Sequence, residues 1–166
     1  MAFQLDPDLP PDLAPLAWIV GRWEGAGVVG YPTMPQSFNF GQELDVRHDG
    51  RPFLHWSSRT WLLDTAGQPI RQSGTESGFL RIVPGGEAEL LLAHPTGIIE
   101  MYFGPAEPAK LSLRTDSVVR SPHAKEYNAG TRHYGLVDGD LMWVMDMAAM
   151  GTPLTSHLSA QLKRVG

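Results

Sequence analysis

Three glycines and one tryptophan occupy alternate positions in the segment Gly21-Arg22-Trp23-Glu24-Gly25-Ala26-Gly27. Because successive side chains of a strand point to opposite faces, Gly21, Trp23, Gly25 and Gly27 share one face, and the charged residues share the other. A strand face that lacks side chains can bend sharply or let another backbone come close. The segment therefore predicts the first strand of a curved sheet of the kind that closes into a barrel.

A phosphate-binding loop is the alternative for a glycine-rich run. Neither Lys-Ser nor Lys-Thr follows these glycines, and no long helical pattern begins after them to direct amide groups at a phosphate. The motif is accordingly interpreted as architectural.

Nine further strand-like segments follow, separated by short turns rich in Gly and Asp. They cover residues 37–46, 53–63, 70–83, 88–94, 98–103, 109–117, 125–137, 141–147 and 155–164. Many short strands joined by tight turns favour antiparallel neighbours and an up-and-down barrel over a Greek-key sandwich. The sequence predicts an all-β fold, a ten-stranded antiparallel up-and-down β-barrel.

The first residues precede this barrel and differ from it in composition. Four prolines lie between residues 6 and 15, which predicts an extended lead-in over residues 1–12. Asp12 is expected to cap a short helix over residues 13–19, whose apolar side chains would close one end of the barrel. Neither an internal repeat nor a linker interrupts the rest, so residues 1–166 are expected to form a single domain.

Composition restricts the chemistry. The formal charge is −5 with no basic cluster, which argues against a nucleic-acid partner. The chain has no cysteine, so thiolate metal sites and thiol catalysis are excluded. No basic leader and no apolar run of about 18 residues is present, which predicts a cytoplasmic protein with no membrane partner.

A barrel of this size can hold one small ligand, and six histidines are candidates to bind it. No two of them have the spacing of a local zinc site, but haem needs only one histidine. His157 lies in a Gly- and Pro-broken segment entering the last strand, after the methionine-rich segment 142–147. From composition alone those methionines are more often core than a cofactor pocket, and alternation does not decide which face of the last strand lines the interior.

Seven motifs occur in order over about the full length of the chain. They are Gly21-x-Trp23-x-Gly25-x-Gly27, Gly30-Tyr31-Pro32-Thr33, Arg51-Pro52-Phe53-Leu54, Glu76-Ser77-Gly78-Phe79-Leu80-Arg81, Leu92-Ala93-His94-Pro95-Thr96-Gly97, Ala124-Lys125-Glu126 and His157-Leu158. Together they resemble one family, the nitrobindins, which are haem-binding ten-stranded barrels related in shape to fatty-acid-binding proteins.

The resemblance implies roles for four residues. It makes His157 the axial ligand of the haem iron, Lys125 a contact to a haem propionate, Thr33 a neighbour of the distal face and Met147 a pocket residue. The chain departs from the family pattern at Gly74, where members often carry a histidine. That departure implies that a distal polar group is missing.

The function implied by this resemblance is that of a haem-dependent peroxynitrite isomerase, a ferric haem b protein with one haem per chain. It would convert peroxynitrite to nitrate and bind nitric oxide, as a monomer or homodimer, with no catalytic side chain beyond the haem iron. The alternative is a non-enzymatic carrier of a fatty acid or other apolar ligand, in which Arg132 and Tyr134 would hold the carboxylate.

Overall fold

The computed structural model describes residues 4–166, and within them it contains one 3₁₀ helix and ten β-strands. The helix covers Pro11–Ile19. The strands are β1 Gly21–Val29, β2 Phe38–Arg47, β3 Leu54–Leu63, β4 Pro69–Ile82, β5 Glu87–His94, β6 Ile98–Glu107, β7 Lys110–Arg120, β8 Tyr127–Val137, β9 Asp140–Ala149 and β10 Thr152–Arg164.

The strands form a closed barrel in which each pairs antiparallel with its neighbours in sequence, and β1 pairs with β10. The predicted ten-stranded up-and-down barrel is therefore confirmed. Strand boundaries differ from the expectation by up to four residues. β6 and β7 are longer than predicted, β10 begins three residues early at Thr152, and β8 begins two residues late at Tyr127. Prolines at the barrel ends are tolerated because their missing N–H groups need no ladder partner there.

The glycines of β1 allow the barrel to close. Gly25 lies opposite Leu162 and Gly27 opposite Ala160 on β10. A Cβ atom on Gly25 would lie 2.1 Å from the Gln161 carbonyl oxygen, and one on Gly27 would lie 2.1 Å from that of Ser159. The glycines of the motif thus allow the backbones of β1 and β10 to come close, as the glycine pattern predicts.

The N-terminal helix differs from its prediction in type and in start. It is a 3₁₀ helix that follows Pro10, and no side chain caps it, so the expected capping by Asp12 is wrong. Pro11 has no N–H to satisfy, and the Leu13 N–H donates to the Pro10 carbonyl oxygen at 2.9 Å, which leaves Asp12 in the first turn. The lead-in accordingly ends at residue 10, and it contains a turn in which the Leu9 N–H donates to the Asp6 carbonyl oxygen at 3.1 Å.

The helix closes the end of the barrel where β1 begins. Leu13, Leu16 and Ile19 are fully buried. The Trp23 indole N–H donates to the Ile19 carbonyl oxygen at 2.9 Å, which ties the helix to the first strand. In the part of the chain that the structure describes, no helix combines the length and apolarity needed to cross a bilayer. The opposite end of the barrel holds the cavity.

Candidate functional site

The barrel interior contains a cavity of about 230 Å³ near the end remote from the helix. Apolar side chains form much of its wall, and polar and charged side chains form the remainder. The apolar members are Val29, Phe40, Ile98, Trp143, Met145 and Leu158. The charged and ionisable members are Glu76, His94, Glu100, Tyr127, Arg132 and His157.

A β-bulge brings His157 to this cavity. Ser156 pairs with Asp146, and Leu158 pairs with the adjacent residue Met145. His157 is therefore an extra residue in β10 that has no partner in β9. Beyond the bulge, alternate residues of β10 face inward, as the burial of Ala160 shows. Strict alternation would direct His157 away from Leu158, but a bulge re-aims the side chain, and both residues line the cavity.

The His157 ring has a defined tautomer. Its Nδ1 lies 3.1 Å from the Gly30 carbonyl oxygen, and because a carbonyl oxygen only accepts, Nδ1 carries the hydrogen. Nε2 of the neutral ring is then free to bind a metal. Tyr31 packs edge-on against the ring at 5.6 Å, and its own hydroxyl donates to the Met147 carbonyl oxygen at 2.8 Å.

Burial lowers the pKa of His157 below its usual 6.5, and the positive charge of Arg132 lowers it further, while the hydrogen bond to the Gly30 oxygen opposes both effects. A neutral imidazole is the form that binds iron. The environment of His157 therefore favours the metal-binding state near neutral pH.

Three strands contribute a buried charged cluster on the other side of the cavity. Arg132 of β8 donates to both carboxylate oxygens of Glu76 on β4, from Nη1 at 2.8 Å and from Nη2 at 2.7 Å. The Trp56 indole N–H donates to the same carboxylate at 3.1 Å, and Arg132 Nη1 lies 3.2 Å from the Tyr134 hydroxyl. Glu100 of β6 lies near this pair, with Oε1 3.7 Å from Arg132 Nη2.

Both carboxylates of the cluster are held in the charged form. Burial raises the pKa of Glu76, but the adjacent guanidinium of Arg132 more than offsets it, so the pKa lies below its ordinary value. The pKa of Glu100 is also lowered, because nearby His94 and Arg132 outweigh the effect of burial. His94 Nε2 lies 3.7 Å from Glu100 Oε1, which is beyond hydrogen-bond distance, so the interaction between these two atoms is electrostatic and not a hydrogen bond.

The other residues that the sequence pointed to lie around the cavity mouth or away from it. Thr33 is exposed, and its hydroxyl lies 3.8 Å from the Met150 sulfur. Lys125 is exposed in the turn before β8. Met147 packs against the core, whereas Met145 of the same strand lines the cavity.

Gly74 forms part of the cavity wall, and its N–H donates to the Thr60 hydroxyl at 2.8 Å. A Cβ at this position would lie 3.0 Å from the same hydroxyl oxygen. The position where the family pattern often has a histidine therefore faces the ligand space.

Among the six histidines, two line the cavity, His94 and His157. His55 lies on the outer surface of the barrel, where its Nε2 forms a hydrogen bond of 2.9 Å with the Asp49 carboxylate, and His133 is exposed. The buried cluster of Glu76, Glu100 and Arg132 was not identified as a site from the sequence. The available signal was that each is the charged residue on an otherwise uncharged inward face of its strand.

A closed ten-stranded barrel with a mostly apolar cavity and a neutral histidine at its mouth defines a class of small-molecule-binding barrels. The profile of the family described as "THAP4-like, heme-binding beta-barrel domain" matches residues 12–164. The chain belongs to this haem-binding family, the nitrobindins.

Relatives and a solved structure agree with that assignment. The chain is 52% identical over 164 residues to a protein named "Peroxynitrite isomerase" from Nocardioides sp. strain JS614, with 99% of each chain covered. It is 45% identical to a "Ferric nitrobindin-like protein" from Kineococcus radiotolerans, again over 99% of each chain. The crystal structure of Rv2717c from M. tuberculosis superimposes with a TM-score of 0.83 at 34% identity, covering 95% of this chain and 99% of the other.

Proposed function

We propose that this chain is a ferric haem b protein, with one haem per chain, that isomerises peroxynitrite to nitrate and binds nitric oxide. The observation that carries the proposal is the state of His157. Its Nδ1–H is held by the Gly30 carbonyl oxygen, and its ring lines the cavity with Nε2 available. One neutral, oriented imidazole is the protein ligand that a haem with an open opposite face requires.

The space around His157 suits a haem that is partly exposed. The cavity inside the barrel, of about 230 Å³, is smaller than the roughly 300–1,000 Å³ typical of pockets for drug-sized ligands. A second, more open groove of about 460 Å³ lies on the outer side of His157, between Gly30, Tyr31 and Ser156. A haem held by His157 would therefore use the open mouth of the barrel rather than lie wholly inside it.

The residues of the chain would hold and shield the group. His157 would bind the iron, while Val29, Phe40 and Leu158 would keep water from the adjoining face. Lys125, exposed at the mouth, would reach a propionate, and Thr33 would lie near the distal side. The net reaction consumes no proton, oxidant or reductant, because the peroxynitrite and nitrate anions contain the same atoms and carry the same charge.

When bound, the haem iron supplies Lewis-acid chemistry for this isomerisation. The name "Peroxynitrite isomerase" carried by the Nocardioides relative supports the same reaction. With Gly74 in the cavity wall, this chain places no imidazole at that position, so an iron-bound ligand would receive no hydrogen bond from there.

The buried cluster argues against a fatty acid as the ligand in the carrier alternative. Arg132, which would have to bind a fatty-acid carboxylate, is already engaged by both oxygens of Glu76. Glu100 adds a second negative charge within 3.7 Å of the same guanidinium. A third carboxylate would be repelled in this low-dielectric site.

Titration of the purified chain with hemin tests the proposal. A saturable Soret band at one hemin per chain, followed by accelerated decay of peroxynitrite with nitrate as the product, is the expected result. Hemin binding without faster peroxynitrite decay would contradict the proposed isomerase activity but not the proposed haem binding. Absence of a defined Soret band would contradict both.

A further inference from the structure

Three buried polar atoms at one side of the cavity have no hydrogen-bond partner among the described residues. They are Nε2 of His94, Oε1 of Glu100 and Nε of Arg132. Glu100 and Arg132 are 3% and 2% exposed. We refer to His94, Glu100 and Arg132 together as the polar pocket. A buried polar group without a partner costs about 1–3 kcal/mol, so three in one place indicate that something else completes their bonding.

The three atoms define the chemistry of the missing partner. Oε1 of the Glu100 carboxylate can only accept, Nε of Arg132 can only donate, and Nε2 of His94 does either according to its tautomer. A hydroxyl group matches this set, because it donates one hydrogen bond and accepts others.

The charge of the surroundings limits the partner further. Glu76 and Glu100 are two negative charges around the single positive charge of Arg132, so these three side chains together carry a net charge of about −1. This charge disfavours an anionic ligand relative to an uncharged one.

Apolar surface lies next to the polar pocket. Phe40, Trp143 and Met145 line the same cavity. Its volume of about 230 Å³ exceeds the ~150 Å³ of an apolar cavity that holds benzene. An aromatic ring or a short alkyl chain attached to the hydroxyl group would be covered by these side chains.

We propose that the polar pocket and the adjoining apolar wall form a second binding site, for small uncharged alcohols and phenols, with the ligand hydroxyl donating to Glu100 Oε1. The site uses the inner part of the cavity and is independent of iron. It is therefore present in the chain without haem.

Phenol, anisole and benzoate distinguish this site from simple filling of the cavity. The three share a ring, but phenol both donates and accepts, anisole only accepts and benzoate is an anion. Calorimetric or NMR titration of the full chain without hemin should show saturable phenol binding at one site. Phenol should bind about tenfold more tightly than anisole, since its hydroxyl donates one additional hydrogen bond to a carboxylate, and benzoate should bind more weakly still. Nuclear Overhauser contacts should join phenol protons to the Met145 methyl group.

Glu100→Met removes the acceptor with little change in side-chain length and should reduce the preference for phenol over anisole to about twofold or less. Glu87→Met makes the same change at an exposed position on β5 and should leave the preference intact. Equal affinities for phenol and anisole in the wild type would overturn the proposal and indicate that water completes the cluster. An unchanged preference in Glu100→Met would also overturn it. If Glu100→Met does not fold, the proposal is tested by the wild-type affinities for phenol, anisole and benzoate and by the Overhauser contacts between phenol and Met145.

Discussion

Replacing Glu76 by methionine should destabilise the barrel strongly, because it leaves a buried guanidinium without its main partner. Arg132 is 2% exposed and loses two hydrogen bonds of 2.7 and 2.8 Å, and Trp56 loses its acceptor. Breaking a buried ion pair on one side costs about 3–5 kcal/mol. Glu100, at 3.7 Å from Arg132, retains part of the attraction, which places the loss near the lower end. For a chain of this length, a loss of about 3 kcal/mol corresponds to a drop in Tm of roughly 6–12 °C.

Urea unfolding monitored by tryptophan fluorescence measures the loss, with Glu100→Met as the matched control. The control removes a carboxylate that has an unpartnered oxygen and leaves the Arg132–Glu76 pair intact, so its stability should be unchanged or increased. The double variant Glu76→Met with Arg132→Met should recover most of the stability lost in Glu76→Met. Equal destabilisation by the two single glutamate variants, or no recovery in the double variant, would refute this reasoning.

Three further predictions concern the closure of the barrel and the binding of hemin. Gly27→Ala places a Cβ 2.1 Å from the Ser159 carbonyl oxygen. The variant should therefore lose about 1–3 kcal/mol of stability in urea unfolding and bind hemin more weakly. Wild-type stability together with wild-type hemin affinity would contradict the close β1–β10 approach. Because the pKa of His157 lies below 6.5, hemin affinity should fall by less than about twofold from pH 8 to pH 6.5 and decline steeply only at lower pH. A loss of about twofold or more by pH 6.5 would show that the pKa is not lowered. Lys125→Ala should weaken hemin binding by about 0.2–1 kcal/mol. Lys110 lies at the opposite end of the barrel, so Lys110→Ala should leave hemin affinity unchanged. Equal effects of the two variants on hemin affinity would contradict a contact between Lys125 and a propionate.

The architecture could be predicted from the sequence because its determinants are local. Alternation and Gly-rich turns define each strand and its antiparallel neighbour, and the glycines at 25 and 27 indicate a close backbone contact. The helix start was misplaced because Asp12 follows a proline that already begins the helix. Local patterns thus determine the strands well and the helix boundary poorly.

The interior of the site depends on the closed barrel and could be predicted only in part. His157 was identified through a family resemblance, but its access to the cavity depends on a bulge that Ser156 and Leu158 do not reveal in sequence. Glu76 and Arg132 lie on β4 and β8, which are not neighbours, so their contact across the interior follows from barrel closure alone. The sequence signal is that each alternates with uncharged residues on one face of its strand; a charge buried on such a face requires a partner, but the strand pattern does not identify it.

The role of His157 is tested most directly by hemin titration of His157→Ala beside His94→Ala. These two histidines line the cavity, so the second variant controls for loss of an imidazole from the same space. Both variants should remain folded by circular dichroism. The His157→Ala variant should lose the histidine-ligated ferric Soret spectrum and the acceleration of peroxynitrite decay, and His94→Ala should keep both. An unaltered Soret spectrum in His157→Ala, or its loss in His94→Ala alone, would contradict the assignment of His157 as the haem ligand.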